Sequence, residues 1–290
     1  MKILVTGSNG QLGSELKALA ENFSVEYIFT DRAELDITNA DAVNEFIAHT
    51  KPDFVINGAA YTAVDKAETD QEPAYAINAT AVGYLATACK ANDVKYIQVS
   101  TDFVFDGTKY MPYKEDDATN PLSVYGKSKL QGEQLCLQHN ADAIIIRTSW
   151  LYSSFGNNFV KTMLLLSSER SELKVIFDQT GTPTYARNLA QAIMQIIQHE
   201  KVKTTSGIFH FSNQGVCSWF DFAKAIVDLS GNNCRVLPIE TFEYHTPATR
   251  PHYSVLNKRK ITETFGMEIP YWRDSLMACM ALLKLFYSVN

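Results

Sequence analysis

The chain has 290 residues, of which 46% are hydrophobic and 20% charged, and its formal net charge is −6 at pH 7. A chain of this length and composition can bury the core of one large domain or two coupled ones, which excludes a wholly disordered protein. The mild acidity and the lack of a basic stripe argue against nucleic-acid binding, and no apolar run reaches the ~18 residues that cross a bilayer.

The five cysteines are odd in number, and no two of them lie at the spacing of metal ligands. This pattern argues against a disulfide framework and against a structural zinc, and it favours a reduced setting. The apolar run in the opening MKILVTG is too short for a signal peptide. We therefore expect a cytoplasmic protein without a membrane partner.

Short runs rich in β-branched residues recur through the first half of the chain, as is typical of strands buried on both faces of a parallel sheet. Helical stretches at 11–22, 41–50 and 74–92 separate these runs. This alternation predicts an α/β fold with a doubly wound parallel sheet of the Rossmann type. The runs are ILVTG (3–7), VEYIFTD (25–31), FVINGAA (54–60), KYIQVST (95–101) and AIIIRTS (143–149).

Glycine, proline and aromatic residues punctuate shorter elements after residue 150. The alternation nevertheless continues, with an apolar helix at 188–198 and a strand at 207–213. We predict a dinucleotide-binding domain at residues 1–149, to which residues 183–213 return. A smaller, interleaved α/β region at residues 150–290 is predicted to bind mainly substrate.

The segment TGSNGQLG follows the first predicted strand and opens the first predicted helix, with glycines at Gly7, Gly10 and Gly13. Glycine allows a tight turn and a close approach of the backbone to a pyrophosphate, while the helix N-terminus supplies free N–H groups and a partial positive charge. A glycine triplet in this strand–loop–helix context predicts dinucleotide binding rather than a purely structural turn.

Two neighbouring residues at the end of the second strand bear on the choice of cofactor. The carboxylate of Asp31 suits the adenosine ribose of NAD, whereas the guanidinium of Arg32 suits the 2′-phosphate of NADP, so both NADPH and NADH stay open. Asp36 and Ile37 follow in LDIT, where the chain runs past the adenine. The small residues of GAAYT (58–62) let the nicotinamide half of the cofactor pass close to the backbone.

A hydroxyl, a phenol and an amine follow the fourth strand. Thr101 ends this strand, at the edge where open α/β sheets bind ligands, and Tyr125 and Lys129 are four residues apart, which places them on one helix face. A nearby ammonium lowers the pKa of a phenol, which prepares Tyr125 to donate a proton to a carbonyl oxygen polarised by Thr101. The pair alone is also typical of a solvated helix face, but the glycine loop favours the catalytic interpretation.

Several motifs, in this order, resemble the dTDP-4-dehydrorhamnose reductase family of extended short-chain dehydrogenase/reductases. They span nearly the whole chain: GSNGQLG, AAYTAVDKAE, STDFVFDG, VYGKSKLQGE, RTSWLY, GNNFVKTM, DQTGTPT and ATRPHYSVL. The resemblance implies reduction of the 4-keto group of dTDP-4-dehydro-6-deoxy-L-mannose to dTDP-L-rhamnose by NADPH or NADH, in nucleotide-sugar and cell-surface polysaccharide biosynthesis. It implies a dTDP-sugar as the partner and leaves a homodimer open.

The family's site residues carry over onto this sequence position by position. By this resemblance the proton donor falls on Tyr125, its lysine partner on Lys129 and the hydrogen-bonding threonine on Thr101. The implied cofactor contacts are Gly7, Gly10, Gln11, Leu12, Gly13, Asp31, Asp36, Ile37, Ala60, Tyr61, Thr62, Tyr125 and Lys129. The implied sugar-nucleotide contacts are Val64, Asp65, Thr101, Asp102 and Trp150.

Three further side chains keep two interpretations each. Trp150 suits stacking on a deoxysugar or thymine, or an ordinary place in the core. Asn78 resembles an asparagine that supports the lysine through water, or else it packs a helix. Arg250 suits bidentate binding of a diphosphate, or a surface ion pair.

The sequence also departs from the family pattern. Phe103 stands where a tyrosine is frequent, and Tyr61 where a histidine is common. The tail ALLKLFYSVN has no Asp or Glu, so we predict no metal site of the kind that some relatives use for dimerisation. Two other functions stay open: another nucleotide-sugar reductase or epimerase of the superfamily, and a non-catalytic cofactor-binding regulatory subunit. The presence of Tyr125, Lys129 and Thr101 favours catalysis.

Overall fold

The computed structural model describes the backbone of residues 1–287 and the side chains of residues 1–284. Its strands are β1 (Lys2–Thr6), β2 (Glu26–Thr30), β3 (Phe54–Asn57), β4 (Lys95–Thr101), β5 (Ile144–Thr148), β6 (Leu151–Tyr152), β7 (Glu172–Ile176), β8 (Thr180–Gly181), β9 (Thr184–Tyr185), β10 (Gly207–His210), β11 (Cys217–Ser218) and β12 (Arg235–Ile239). Its helices are α1 (Gln11–Leu19), α2 (Ala40–Thr50), α3 (Val64–Ala67), α4 (Gln71–Tyr75), α5 (Ala81–Ala91), α6 (Val124–His139), α7 (Phe159–Glu169), α8 (Ala186–Gln198), α9 (Trp219–Ser230), α10 (Arg259–Phe265) and α11 (Trp272–Tyr287).

Six strands form the central sheet, in the order β10–β5–β4–β3–β1–β2, and every neighbouring pair is parallel. The chain moves from β1 to β2 on one side and then places β3 on the other side of β1. This reversal creates a topological switch point between β1 and β3, where open α/β sheets bind ligands. The predicted doubly wound parallel sheet is confirmed.

The two faces of this sheet are buried in separate cores because successive strand side chains point to opposite faces. Ile3 and Val5 pack with Leu16 of α1 and Leu189 of α8 on one face. Leu4 packs on the other face, with side chains of α2 and α5. Burial on both faces explains why the strands lack the polar alternation of a half-exposed sheet.

A third core lies among the elements of the chain's latter part. Helices α7, α9 and α11 surround it together with residues of the two-stranded sheets β6–β9, β7–β12 and β8–β11. Between these elements the chain returns to the central sheet, because α8 packs on α1 and β10 pairs with β5. The predicted smaller, interleaved α/β region is therefore confirmed as part of the fold class. Within residues 1–287, no helix combines the length and apolar character that crossing a bilayer requires.

Candidate active site

The loops after β1 and β3 touch at the switch point. Gly7 has a φ of +67°, and a Cβ added there would lie 2.6 Å from the backbone nitrogen of Ala59. A Cβ on Gly13 would lie 2.5 Å from the Cα of Ser8. Gly10 is the N-cap residue of α1 and has no side chain that could accept from the N–H groups of the first turn. These N–H groups can therefore bind a ligand. This glycine-lined cradle fits a dinucleotide pyrophosphate.

The first helix is also tied to the segment that follows β6. Gln11 donates from Nε2 to the Leu151 carbonyl at 3.4 Å and accepts from the Asn158 amide at 3.0 Å. One turn later, the buried Glu15 accepts from the Ser153 hydroxyl at 2.6 Å. Burial raises the pKa of the Glu15 carboxyl. These bonds hold residues 151–158 against the helix end that opens the pyrophosphate cradle.

The adenosine-side residues lie where β2 ends. Asp31 accepts from the backbone N–H groups of Asn9 at 3.2 Å and Arg32 at 2.8 Å, so its carboxylate braces the glycine loop. The Arg32 side chain is 86% exposed, and its Nε lies 3.6 Å from a carboxylate oxygen of Asp36. Ile37 is buried in the core beneath α2 and α5. Leu12, which follows the glycine loop, is buried in the core beneath α1. Contacts of these two residues with a cofactor would therefore come mainly from their backbones.

Asn78 fixes the segment Ala60–Thr62 to α6. Its side-chain oxygen accepts from the backbone N–H of Tyr61 at 2.9 Å, and its amide donates to the Tyr61 carbonyl at 3.0 Å and to the Ser128 hydroxyl at 3.0 Å. It lies in a π-helical turn between α4 and α5, where the sequence pattern predicts one unbroken helix. π-Helical turns inside α-helices are frequent at functional sites. These direct bonds show that Asn78 packs its turn against Tyr61 and against α6.

Helix α6 approaches its neighbours unusually closely. It begins at Val124 because the Ser123 hydroxyl accepts from the Gly126 N–H at 3.1 Å and caps the helix. A Cβ on Gly126 would collide with the carbonyl oxygen of Phe103, and one on Gly132 with that of Asn78. Gly126 thus lets the helix lie against the segment that directly follows β4 and Thr101, and Gly132 lets it lie against the π-helical turn that carries Asn78.

Tyr125, Thr101 and Lys129 meet at this end of the sheet. The half-buried Tyr125 lies near enough to the Thr101 side chain for that hydroxyl to affect the pKa of the phenol. The ring of Phe103 packs edge-on against the Tyr125 ring, with centroids 5.6 Å apart. Lys129 is buried and donates from Nζ to the Val99 carbonyl at 2.7 Å. The three side chains of the predicted proton-delivery group are therefore close neighbours.

The protonation of this group differs from the sequence expectation. Burial raises the pKa of Tyr125 to about 12, the charge of Asp102 raises it further, and the Thr101 hydrogen bond lowers it in part. Burial lowers the pKa of Lys129 to about 8, against the opposing effect of Glu133. The expected lowering of the pKa of Tyr125 is not the net result in this structure because desolvation of the phenol dominates. The Tyr125 phenol accordingly keeps its proton at neutral pH.

Asp102 is a buried carboxylate beside this group, with only 1% of the residue exposed. Its Oδ1 accepts from the Thr101 hydroxyl at 3.1 Å, while Oδ2 has no hydrogen-bond partner among the described residues. Burial raises the pKa of Asp102 to about 6, although the hydroxyls of Ser254 and Thr101 lower it in part. An orphaned buried oxygen of this kind marks a place for a ligand hydroxyl.

Trp150 follows β5 in a left-handed conformation, with a φ of +47°. Its ring stacks on that of Trp219, with centroids 3.6 Å apart and planes inclined by 9°. An edge of the ring also lies so close to Gly181 that a Cβ there would be 2.6 Å from Cε2. One face of the half-buried indole is therefore packed against Trp219 at the third core. Left-handed bulky residues are costly and cluster at functional sites, so the conformation supports a role in the site.

Val64 and Asp65 open α3, which packs against α6. Asp65 accepts from Arg250 at 2.9 and 2.8 Å in a bidentate pair and from the Ala248 N–H at 3.2 Å. The Arg250 hydrogen bonds are the main reason that the pKa of Asp65 is lowered. Of the two roles considered for Arg250, the structure shows the ion pair. This pair joins the segment after β3 to the chain near residue 250.

Sequence reasoning missed a buried ion pair behind Lys129. Glu133 lies one turn further along α6 and binds Arg147 of β5, and both side chains are at most 3% exposed. Ser100, next to Thr101, donates to the same carboxylate. Two signals in the sequence point to it: Glu133 shares a helix face with Lys129, and Arg147 interrupts an apolar strand that is otherwise buried.

No group of three His, Cys, Asp or Glu side chains in the described part of the chain is arranged to hold a metal ion. The side chains of residues 285–290, at the end of the tail on which the no-metal prediction rests, lie outside the described residues. That prediction stays a prediction.

Residues 1–285 match the family whose model is described as the RmlD substrate binding domain. The chain is 44% identical over 284 residues to a dTDP-4-dehydrorhamnose reductase of Aggregatibacter actinomycetemcomitans, covering 95% of this chain and 97% of the relative.

Solved structures of the same kind superpose closely. A dTDP-4-dehydrorhamnose reductase from Clostridium acetobutylicum has 45% sequence identity and a TM-score of 0.93, over 98% of this chain and 100% of that one. A dTDP-4-dehydrorhamnose reductase from Bacillus anthracis in complex with NADP has 37% identity and a TM-score of 0.91, over 97% of this chain and 98% of that one. The chain therefore belongs to the dTDP-4-dehydrorhamnose reductase family.

Proposed function

We propose that this protein reduces the 4-keto group of dTDP-4-dehydro-6-deoxy-L-mannose to dTDP-L-rhamnose with NADPH or NADH, in nucleotide-sugar and cell-surface polysaccharide biosynthesis. The observation that carries the proposal is the meeting of Thr101, Tyr125 and Lys129 at the sheet edge next to the glycine cradle. The matched relatives are named for this reaction.

The residues present fit a nicotinamide dinucleotide. The cradle of Gly7, Gly10 and Gly13 with the first turn of α1 would hold the pyrophosphate, and residues 60–62 and Lys129 the nicotinamide half. When bound, the cofactor supplies the hydride for C4 of the sugar.

The preference between the two cofactors rests on Asp31 and Arg32. Asp31 carries a carboxylate suited to a free ribose, while the exposed Arg32 can turn to a 2′-phosphate. We infer that both NADH and NADPH are accepted. The use of NADPH is supported by the Bacillus anthracis relative, whose structure is a complex with NADP.

Tyr125 delivers the proton. Its phenol is protonated at neutral pH and lies beside the Thr101 hydroxyl, so both groups can bind the oxygen of the carbonyl that is reduced. As C4 receives the hydride, the carbonyl oxygen takes the phenol proton and becomes a hydroxyl. The resulting phenolate is stabilised by the Lys129 ammonium and regains its proton from solvent.

The sugar nucleotide would lie between this edge and the second region. We propose that Val64, Asp65, Asp102 and Trp150 contact it and that residues 150–290 mainly bind it, while 1–149 with 183–213 bind the dinucleotide. The orphaned Oδ2 of Asp102 supports this because a sugar hydroxyl can donate to it. The half-buried Trp150 offers an aromatic surface to a deoxysugar or a base.

We also propose a cytoplasmic setting and a homodimer. All five cysteines are free and four of them are buried, as expected of a protein in a reducing compartment. The homodimer rests on family resemblance, and sedimentation equilibrium of the purified protein tests it.

The test is a spectroscopic assay of nicotinamide oxidation with dTDP-4-dehydro-6-deoxy-L-mannose and its UDP and GDP counterparts, using both cofactors. We expect oxidation with the dTDP substrate and several-fold weaker oxidation with the others. A protein that demonstrably binds the cofactor but oxidises none of it with any of the three substrates would refute the proposed reduction and favour a regulatory subunit.

A further inference from the structure

The buried carboxylate of Glu133 has no part in the proton step described above. It accepts from the Ser100 hydroxyl at 2.5 Å and from Arg147 at 2.9 Å (Nε) and 2.7 Å (Nη2). A buried ion pair is costly to desolvate and is weak evidence for stability alone, so its presence calls for another explanation.

Three elements meet at this carboxylate. Glu133 lies on α6, Ser100 on β4 and Arg147 on β5, and Ser100 pairs with Arg147 in the register of the two strands. The next residue of β4 is Thr101. The bonds of Glu133 therefore fix the helix that carries the lysine against the strand end that carries the threonine.

The same carboxylate is one helical turn from Lys129. The lysine is 4% exposed and its ammonium donates only to a backbone carbonyl, that of Val99, among the bonds described here. Burial lowers the pKa of Lys129, and the charge of Glu133 opposes this effect. The other titratable groups on α6 itself are Tyr125, Lys127, Cys136 and His139. Those on the elements packed against α6 are Asp65, Lys66, Glu72, Tyr75, Tyr84, Cys89, Lys90, Lys95, Tyr96 and Asp102, and Arg147 of β5 reaches Glu133.

We propose that Glu133 is a positioning residue for the reduction, an inference that rests on the proposed function. Its carboxylate fixes α6 against the end of β4 and places a negative charge one turn from the buried ammonium of Lys129. Arg147 orients that carboxylate through hydrogen bonds from Nε and Nη2. The carboxylate is proposed to act on the lysine through its place on the same helix and through its charge.

The test is the pH dependence of kcat/KM for the keto sugar nucleotide, which reports the ionisations of the free enzyme. Glu133→Gln keeps the size of the side chain and removes its charge. Loss of a negative neighbour disfavours the ammonium, so the alkaline limb of the profile is expected to move to lower pH by about one unit. The kcat/KM of Glu133→Gln is then expected to be about five-fold below that of the wild type near pH 8 and nearly equal to it near pH 6.

Two further variants make the test specific. The double variant Glu133→Gln/Arg147→Met removes both buried charges and so leaves no uncompensated guanidinium. The alkaline limb of its kcat/KM profile is expected to lie between the limb of the wild type and that of Glu133→Gln. Asp142→Asn removes a carboxylate from the exposed Lys90–Asp142 pair and is expected to keep the wild-type limb.

Folded Glu133 variants that lose rate equally at every pH, with an unmoved limb, would overturn the positioning role and leave a structural one. If neither variant folds, the carboxylate serves the fold itself, which also overturns the proposal. A wild-type protein without any turnover would instead refute the proposed reduction, so the two failures are distinct.

Discussion

In the proposed mechanism, proton transfer depends on Tyr125. Tyr125→Phe removes the phenol proton but keeps the ring that Phe103 packs against, so the local geometry is retained. We expect turnover to fall by about 10²-fold or more, because the variant lacks the proton that the proposed mechanism delivers to the carbonyl oxygen. Dissociation constants of the cofactor, measured by fluorescence titration, should change little.

A matched control for this variant is Tyr110→Phe, since Tyr110 is 87% exposed. It should leave turnover unchanged. An unchanged turnover in Tyr125→Phe would remove this tyrosine from the mechanism.

Asp102 makes stability depend on pH. Its pKa rises from 3.8 to about 6 on folding, so the folded state holds the proton more tightly and is favoured at low pH. Stability is then lost as the pH rises through about 6, by about 3 kcal/mol at 1.36 kcal/mol per unit. Asp102→Asn removes the buried charge, and we expect it to raise the free energy of unfolding by about 1–3 kcal/mol at pH 8 but not at pH 4.

Denaturant unfolding at the two pH values measures this difference. An equal effect of Asp102→Asn at both would show that the carboxyl group does not change its affinity for protons on folding. The same variant should weaken binding of the sugar nucleotide if Oδ2 accepts one of its hydroxyls.

Single residues also show where sequence reasoning ends. The spacing of Tyr125 and Lys129 and the strand end at Thr101 point to proton delivery because helix periodicity and sheet polarity are fixed by local rules. The raised pKa of Tyr125 and the pairing of Trp150 with Trp219 depend on burial and on contacts distant along the chain. No local pattern encodes them.

At the level of elements, the placement of α6 depends on glycine at a close contact. Gly132→Ala puts a methyl group against the Asn78 carbonyl, so the helix must shift, and with it Lys129 and Tyr125. We expect a loss of about 1–3 kcal/mol in the free energy of unfolding and a lower kcat. Denaturant unfolding and steady-state kinetics measure the two effects.

Gly83→Ala is the matched control, because Gly83 lies in α5 facing the same helix, with Leu135 at an ordinary 3.5 Å from an added Cβ. Alanine in a helix is favoured over glycine, so this variant should be neutral or stabilised by about 0.5–1 kcal/mol. Equal losses in both variants would show that the α5–α6 contact is uniformly tight and that Gly132 is not special.

A helix or strand could be predicted from the sequence where a single hydrophobic periodicity runs through it without interruption. The strand predicted at 95–101 has these bounds in the structure, and the helix predicted at 41–50 begins one residue earlier. The helix predicted at 74–92 is instead divided by a π-helical turn, which orients Asn78 towards Tyr61 and Ser128. That turn depends on tertiary hydrogen bonds, which hydrophobic periodicity does not reveal.

At the level of the whole molecule, the Asp65–Arg250 pair links the segment after β3 to the chain near residue 250. Arg250→Lys cannot make both bonds, so α3 and its neighbouring site residues lose an anchor. We expect KM for the sugar nucleotide to rise about three- to tenfold. The pair is partly exposed, so the free energy of unfolding should change by less than about 1 kcal/mol.

Steady-state kinetics and thermal unfolding separate these effects. Arg259→Lys, in the exposed pair with Glu263, is the control and should alter neither KM nor stability. A fall in kcat with an unchanged KM in Arg250→Lys would place the pair's influence on the chemical step rather than on binding.

The transfer of a hydride to the sugar tests the account most directly. The protein is incubated with dTDP-4-dehydro-6-deoxy-L-mannose and a cofactor deuterated at the transferable position of the nicotinamide, and the sugar nucleotide is analysed by mass spectrometry and NMR. We predict one deuterium at C4 of the sugar for each cofactor oxidised. An unlabelled sugar, or an epimerised sugar formed without net oxidation of the cofactor, would contradict the account.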